Sequence, residues 1–187
     1  PTDCVNIALG NLLDEPPDIV VSGINIGYNT TEALIFSSGT VAGAMEGAFW
    51  ELPAIAFSQK VPQDLFESVR LSKGQAEGAF AKSLRAAAGH AAAITGDALK
   101  TTKTYGQVIN INFPETTAAS TEIVDTYPER IHLGSLYEEV APNRYEFRFK
   151  EGIRMEASDA TDRAVLASGR ISRSALVFPQ VGTRPRS

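Results

Sequence analysis

A single cysteine among 187 residues, Cys4, leaves no partner for an internal disulfide and no thiolate cluster for zinc. Two histidines, His90 and His132, are too few for a histidine-based metal cage. No apolar run approaches the ~20 residues that cross a bilayer, and no basic-then-apolar leader is visible. Positive charge is also scarce: 17 Lys and Arg stand against 22 Asp and Glu, for a net charge of −5. Such a chain is poorly suited to gripping a nucleic-acid polymer by its backbone. One small anion is a different matter, because a few oriented donors suffice to hold it. The expectation is a cytoplasmic protein with neither membrane nor nucleic-acid partner. Cys4, on an apolar helix face, is expected to be a small core residue rather than a nucleophile. Arg184 and Arg186 read as a solvated tail.

What is there is ordinary for a globular chain: 43% hydrophobic and 21% charged residues, with a mean hydropathy of −0.07. The length suits one well-buried domain. Val5, Leu9, Leu12 and Leu13 form one helical stripe that begins near Thr2 or Asp3 and ends at Pro16-Pro17. Asp18 to Ser22 is a β-branched run without polar alternation, as in a strand covered on both faces. Gly23 to Ser38 reads as loop. A helix is expected from Gly39 to Glu51 on Val41, Met45, Ala48 and Phe49, then a buried strand from Pro53 to Ser58. Helix and strand at these intervals indicate βαβ units and a parallel sheet.

A long Ala-rich helix is expected over 65–94, interrupted in propensity by Gly74 and Gly78. Gln107 to Pro114 is a further strand. Residues 120–126 and 144–150 read as exposed strands, with Tyr145, Phe147 and Phe149 alternating with Glu146, Arg148 and Lys150. Ile131 to Ala141 reads as an irregular connection. A short helix over Ser158 to Ala167, capped by Ser158, precedes a strand from Arg170 to Phe178.

The segment richest in chemistry is Ser22-Gly23-Ile24-Asn25-Ile26-Gly27-Tyr28-Asn29, followed by Ser37-Ser38-Gly39-Thr40 at a helix start. In open α/β sheets ligands bind beyond the carboxyl ends of the strands. Glycines admit close backbone approach, and N–H groups at a helix N-terminus favour phosphate. The blander reading has equal weight from spacing alone: two glycines shape a turn and Ser38 caps a helix. No G-x-S-x-G elbow surrounds Ser38, and neither a Walker A lysine nor a GxGxxG fingerprint is present. His132, near Tyr127 and Arg130, reads first as structural.

Asp18 to Asn25, then Asn29, then Ser38-Gly39-Thr40-Val41-Ala42-Gly43-Ala44-Met45-Glu46-Gly47, resembles the SurE (survival protein E) family. Pro1 to Val5 and Pro53 to Ala56 match that family's flanking segments. The likeness is fullest over 1–59, less at Val108 to Pro114, and faint at Ser158 to Leu176. It implies a Rossmann-like parallel-sheet core with helices on both faces, plus a C-terminal hairpin excursion that swaps between subunits. A single incomplete domain is expected, with the core over 1–117 and the excursion and last helix and strand over 118–187. The implied activity is metal-dependent hydrolysis of nucleoside 5′ or 3′ monophosphates. Asn25 is then a ligand of a divalent metal, Mg or Mn, while Asn29, Ser38, Gly39 and Thr40 hold the substrate phosphate. A homodimer or homotetramer through the C-terminal arm is implied as well.

Two departures qualify that likeness. The family has two adjacent aspartates and a serine upstream of the segment matching Pro1, and these are absent from this sequence. The chain therefore reads as starting inside a domain, with the segment alone expected to be inactive. No catalytic residue is identifiable in it: Asp3 and Asp18 read as helix-start and strand-edge residues, and Glu46 as structural. The loop after Asn29 also runs Thr30 to Ser37, one residue longer than the family's, with Glu32 read as solvated and Ser38 preferred over Ser37 as the anion ligand. Hydrolysis of polyphosphate or another small phosphate ester is the alternative within the class. Outside it stands a non-catalytic phosphate-binding, nucleotide-binding or oligomerising module.

Overall fold

The computed structural model describes residues 1–100, 106–148, 150–156 and 158–178. Phe149, Arg184 and Arg186, which figure in the sequence reading, lie outside the described residues. The chain builds a five-stranded sheet in the order β1-β2-β3-β9-β4. Its strands are β1 (Val20–Ile26), β2 (Ala54–Gln59), β3 (Gln107–Phe113), β4 (Ile123–Thr126) and β9 (Ile171–Val177). β1, β2 and β3 are parallel, β9 runs antiparallel to β3, and β4 is parallel to β9. Helices cover both faces, as expected for an α/β core. Two of the five strands come from beyond residue 118, so the sheet is not confined to the first 117 residues.

On one face lies α3 (Gly39–Phe49), whose Val41, Ala44 and Ala48 are buried against Ala54, Ala56, Val108 and Leu176. On the other lies α5 (Gly78–Ala98), where Ala87, Ala91, Ile94 and Ala98 pack on Ile55, Phe57, Ile111, Phe113 and Ile171. The two-residue alternation of β2 and β3 serves both layers at once. Burying Val41 or Val108 completely stabilises the fold by roughly 1.5–3 kcal/mol each.

Several elements differ from the sequence reading. The Leu65 to Ile94 helix is two helices, α4 (Gln63–Leu71) and α5, because Lys73, Gly74 and Gly78 turn left-handed between them. The first helix, α1 (Thr2–Ile7), continues as a π-helical turn over Ala8–Leu12, and none of its residues is buried. Cys4 is thus exposed rather than a core residue, because the stripe from Val5 to Leu13 is only partly covered. β1 lies at the sheet edge with Val21 exposed, so this strand is not covered on both faces. Gly23 to Ile26 belongs to β1, and Thr31–Phe36 forms α2, which shortens the expected loop to 27–30. The 131–141 connection contains β5 (Ile131–His132) and β6 (Tyr137–Ala141). β6 pairs with β7 (Arg144–Phe147), and β5 with β8 (Ile153–Arg154), as two small antiparallel ribbons. The last helix, α6, starts at Asp162 with Thr161 rather than Ser158 as its cap; the Thr161 hydroxyl accepts from the Ala164 N–H at 3.2 Å.

Helix α3 approaches β1 through glycine. A Cβ at Gly47 would stand 2.5 Å from the Val20 Cβ, and one at Gly43 would stand 3.2 Å from the Ser22 Oγ. Four helical residues rise ~6 Å and two strand residues ~6.6 Å, so this spacing keeps helix and strand in step. The step also fixes their directions: α3 runs antiparallel to β1. Its N-terminus therefore lies at the carboxyl end of the strand.

Gly47→Ala should destabilise the chain by about 1–3 kcal/mol in urea unfolding, since its methyl meets a branched side chain of the sheet. Gly89→Ala, where a Cβ meets nothing within 4 Å on α5, should instead stabilise by ~1 kcal/mol.

Candidate functional site

Asn25 owes its direction to a β-bulge. Ser22 pairs with Ala56 but Asn25 pairs with Ser58, so three steps along β1 match two along β2. Gly23 permits this: its φ is +114°, and any Cβ there would come 2.2 Å from the Phe57 carbonyl oxygen. The extra residue switches the face of everything that follows it. Ile24 and Ile26 turn to the α4 and α5 side, where they pack with Phe57 and Val61 respectively, and Asn25 shares the face of Ser58 and α3.

Beyond β1 the chain turns at Gly27 and dives under the sheet's carboxyl edge. Asn29 is 7% exposed, Thr30 is fully buried and Thr31 is 1% exposed. Buried backbone needs partners, and here side chains supply them. The Asn29 N–H donates to the Asn112 Oδ1 at 2.7 Å, and the Asn29 carbonyl accepts from Asn110 Nδ2 at 2.8 Å and Asn112 Nδ2 at 3.2 Å. The Asn29 side chain donates to the Ser58 Oγ at 2.7 Å. Asn25 and Asn29 thus meet at Ser58, the first beside it in the sheet and the second bonded to its hydroxyl.

The polar floor continues sideways. Asn112 and Asn110 register with Ser172 and Ser174 of β9, and Thr126 Oγ1 lies 3.2 and 2.8 Å from the hydroxyls of those two serines. The same face of the sheet is apolar beneath the body of α3 and polar at its carboxyl end. The pattern from Gln107 to Pro114 predicts a strand and gives its asparagines no task. The signal was present, since two asparagines alternate with isoleucine in a run otherwise suited to burial.

Ser38, Gly39 and Thr40 lie at the start of α3, brought to the same end of β1 by the glycine contacts. The Ser38 Oγ accepts from the Val41 N–H at 3.1 Å, which leaves its own proton free to donate outward. The first turn leaves the N–H groups of Gly39 and Thr40 without intrahelical acceptors, and the helix dipole places partial positive charge there. Pro1 lies against this turn, 2.8 Å from where a Gly39 Cβ would be. Ser37 belongs to the end of α2, where its hydroxyl donates to the carbonyls of Ala33 and Leu34.

The remaining candidates fall elsewhere. Glu32 is exposed and lies 3.6 Å from Arg130. Glu46 accepts from Asn6 Nδ2 and Trp50 Nε1, tying α1 to α3. His132 is exposed on β5, paired with Ile153 of β8. Lys60 and Arg163 come within electrostatic reach of the loop at Tyr28. Burial pushes the Tyr28 phenol up, and both cations oppose that shift. Each cation is already paired, Lys60 with Glu115 at 2.9 Å and Arg163 with Glu151 at 3.2 Å. The donors left at this strand end are therefore backbone N–H groups and neutral side chains.

A buried carboxylate, unforeseen from sequence, supports the loop from the far side. Asp162 Oδ2 accepts from the Thr31 N–H at 2.8 Å, and Oδ1 accepts from the Glu129 N–H at 3.0 Å and the Arg163 N–H at 2.7 Å. Its position three residues before Val165, in a run read as the first turn of a helix, gave no sign of a partner 131 positions away. A separate cleft of about 480 Å³ lies under α5 at the opposite end of the strands, lined by His90, Ile94, Gln107 and Ile109 among others. Arg173 and Asp125 at its rim are bound to each other at 2.6 and 3.0 Å.

These features can be set beside known proteins. The SurE family model, described as survival protein SurE, matches residues 1–132. A 5′-nucleotidase SurE of Methylocella silvestris is 40% identical over 116 residues, which cover 62% of this chain and 40% of that protein. Another, from Ectopseudomonas mendocina, is 51% identical over 67 residues, 35% of this chain and 26% of that protein. The chain thus spans well under half the length of these curated relatives. The crystal structure of SurE protein from Aquifex aeolicus superposes with a TM-score of 0.67 at 25% identity, over 97% of this chain and 68% of that one. The matched stretch contains the bulged strand, its asparagines and the glycine-seated helix start, and on that ground the chain belongs to the SurE family.

Proposed function

We propose that this chain carries the phosphate-holding part of a metal-dependent nucleotidase that cleaves nucleoside 5′ or 3′ monophosphates. One observation carries the reading. The bulge at Gly23-Ile24 and the glycine-seated α3 bring Asn25, Asn29 and the Ser38-Gly39-Thr40 turn to one face at one strand end. The family's curated members named 5′-nucleotidase support the reaction class.

In this reading the N–H groups of Gly39 and Thr40 and the hydroxyls of Ser38 and Thr40 take the phosphoryl oxygens. They are preorganised donors, so they stabilise charge that grows on those oxygens without rearranging. Asn29 is proposed as a further holder of the phosphate; its backbone is locked by Asn110 and Asn112, and its side-chain amide also donates to the Ser58 hydroxyl at 2.7 Å. Substrates other than nucleotides, polyphosphate included, would engage the same donors.

Asn25 is proposed as one ligand of a Mg or Mn ion. Its amide oxygen has the right hardness, but a single neutral ligand does not fit such an ion by itself. Among the described residues no group of three or more His, Cys, Asp and Glu side chains is placed to hold a metal. The metal reading therefore calls for carboxylates beyond those residues, and no chemical step is assigned to this chain through the ion. When bound, such a metal would polarise the phosphoryl group. Assembly into a dimer or tetramer through the β6–β7 ribbon is proposed on its exposed Tyr137, Tyr145 and Phe147.

The 187-residue chain should bind AMP and inorganic phosphate without releasing phosphate from AMP. Joining the aspartate-bearing N-terminal segment of a curated relative ahead of Pro1 should give release that Mn²⁺ supports and EDTA abolishes. Release by the unextended chain, or EDTA-resistant release by the chimera, would contradict the assignment. Ser38→Ala should weaken phosphate binding roughly tenfold and cost ~1 kcal/mol of stability through the lost cap, read by calorimetry and urea unfolding.

A further inference from the structure

Thr31 has a φ of +70°, in the left-handed region that β-branched residues avoid. It is buried and stands between the two parts of the cradle, two residues after Asn29 and at the head of the helix that leads to Ser38. Its N–H donates to Asp162 Oδ2 at 2.8 Å. The next residue is held as well: the Glu32 N–H donates to the Glu129 carbonyl at 3.1 Å. Glu129 is itself fully buried, with Oε1 2.5 Å from Arg154 Nε and Oε2 accepting from the Thr161 hydroxyl at 3.0 Å.

An ordinary role for Asp162 would be to start α6. That role is already filled, since Thr161 caps the helix. The Asp162 carboxylate instead spends one oxygen on Thr31 and shares the other between Glu129 and Arg163. We infer that Asp162 is a positioning residue for the anion cradle, holding Thr31 left-handed so that Asn29 and the Ser38-Gly39-Thr40 turn keep their mutual placement. This rests on the phosphate-site reading given above.

A carboxylate suits the task because three N–H donors converge on it, whereas an amide would turn its own N–H groups against one of them. The same position makes it responsive to acid. Burial pushes Asp162 up to about 6 from an ordinary value of 3.8, against the pull of those three donors. The charged groups facing it are Glu129, countered by Arg154, and Arg163, whose guanidinium turns to Glu151. Thr31 and Tyr127, the other contacts, bring no charge. Because the folded value lies above the unfolded one, this group favours the folded chain as pH falls from about 6 toward 4. Its hydrogen bond to Thr31 weakens over the same range. Acid should therefore loosen the cradle without a matching loss of global stability from this residue.

Sulfate is a suitable probe, because unlike phosphate it keeps its charge throughout this range. Titrated calorimetrically into the intact chain, it should bind roughly tenfold more weakly at pH 5 than at pH 7.5, the worth of one hydrogen bond to a charged group. Asp162→Asn should bind weakly at both values, with no step near pH 6. Glycine adopts positive φ freely, so Thr31→Gly in the Asp162→Asn background should recover at least half the loss. Thr31→Gly alone should bind well and flatten the pH step, which decides the matter even if Asp162→Asn fails to fold. An Asp162→Asn chain with wild-type affinity and an unchanged step would overturn the positioning role, as would a Thr31→Gly chain that keeps the full step. Absence of sulfate binding by the unmodified chain at pH 7.5 would sink the phosphate-site reading and this inference together.

Discussion

The candidate site depends on one constraint: the backbone from Asn29 to Thr31 passes through the interior and must find hydrogen-bond partners there. In a helix or strand the neighbouring backbone would supply them. A crossing loop has no such neighbour, and an unpaired buried N–H or C=O costs roughly 1–3 kcal/mol. Asn110 and Asn112 meet the demand at Asn29 with three hydrogen bonds between them, and Asp162 meets it at Thr31. That need accounts for asparagines in the middle of a central strand. It also accounts for a carboxylate buried in a place where burial opposes its charge.

The loop's path would be of little use without α3. Glycines at 43 and 47 let the helix lie close on β1, while the bulge at Gly23 turns Asn25 onto the helix side. Each device works by omission of a side chain, so each is intolerant of alanine for steric reasons rather than for chemistry. Together they make a candidate site at a sheet edge, where the start of α3, with its N–H groups and hydroxyls, meets the end of β1 beside Asn25 and Asn29. Its electrostatic character comes from dipoles more than from formal charge, since Lys60 and Arg163 already serve Glu115 and Glu151.

The later part of the chain is tied into the same architecture. β9 inserts between β3 and β4, so its serines extend the polar floor under the loop. Glu129 and Asp162 then clasp Thr31 and Glu32 from the excursion side. The excursion is thus mechanically joined to the cradle, while its β6–β7 ribbon stands outward with Tyr137 and Phe147 packed edge to face at 5.7 Å. One part of the excursion supports the site and another presents apolar surface.

Much was legible in the sequence because it is encoded locally. The apolar runs expected as strands from Pro53 and Gln107 form Ala54–Gln59 and Gln107–Phe113, and the helix expected from Gly39 forms Gly39–Phe49, because period and flanking residues agree there. The Ser38-Gly39-Thr40 helix start was readable for the same reason, and the motif around Asn25 and Asn29 placed the chain in its family. Other features were set by distant partners. The break between α4 and α5 was half legible: Gly74 and Gly78 lower helix propensity there, but the left-handed backbone at Lys73, Gly74 and Gly78 that ends one helix before the next is fixed in the fold. Cys4 is exposed because too little packs over its helix, which no local pattern records. The face taken by Asn25 was decided by a bulge against β2, and the hold on Thr31 by a carboxylate 131 residues away. Sequence by itself determined the main strands and helices of the core and which residues are candidates to meet an anion. Tertiary structure decided which way those residues point, because direction depends on register and on hydrogen bonds that only folding brings together.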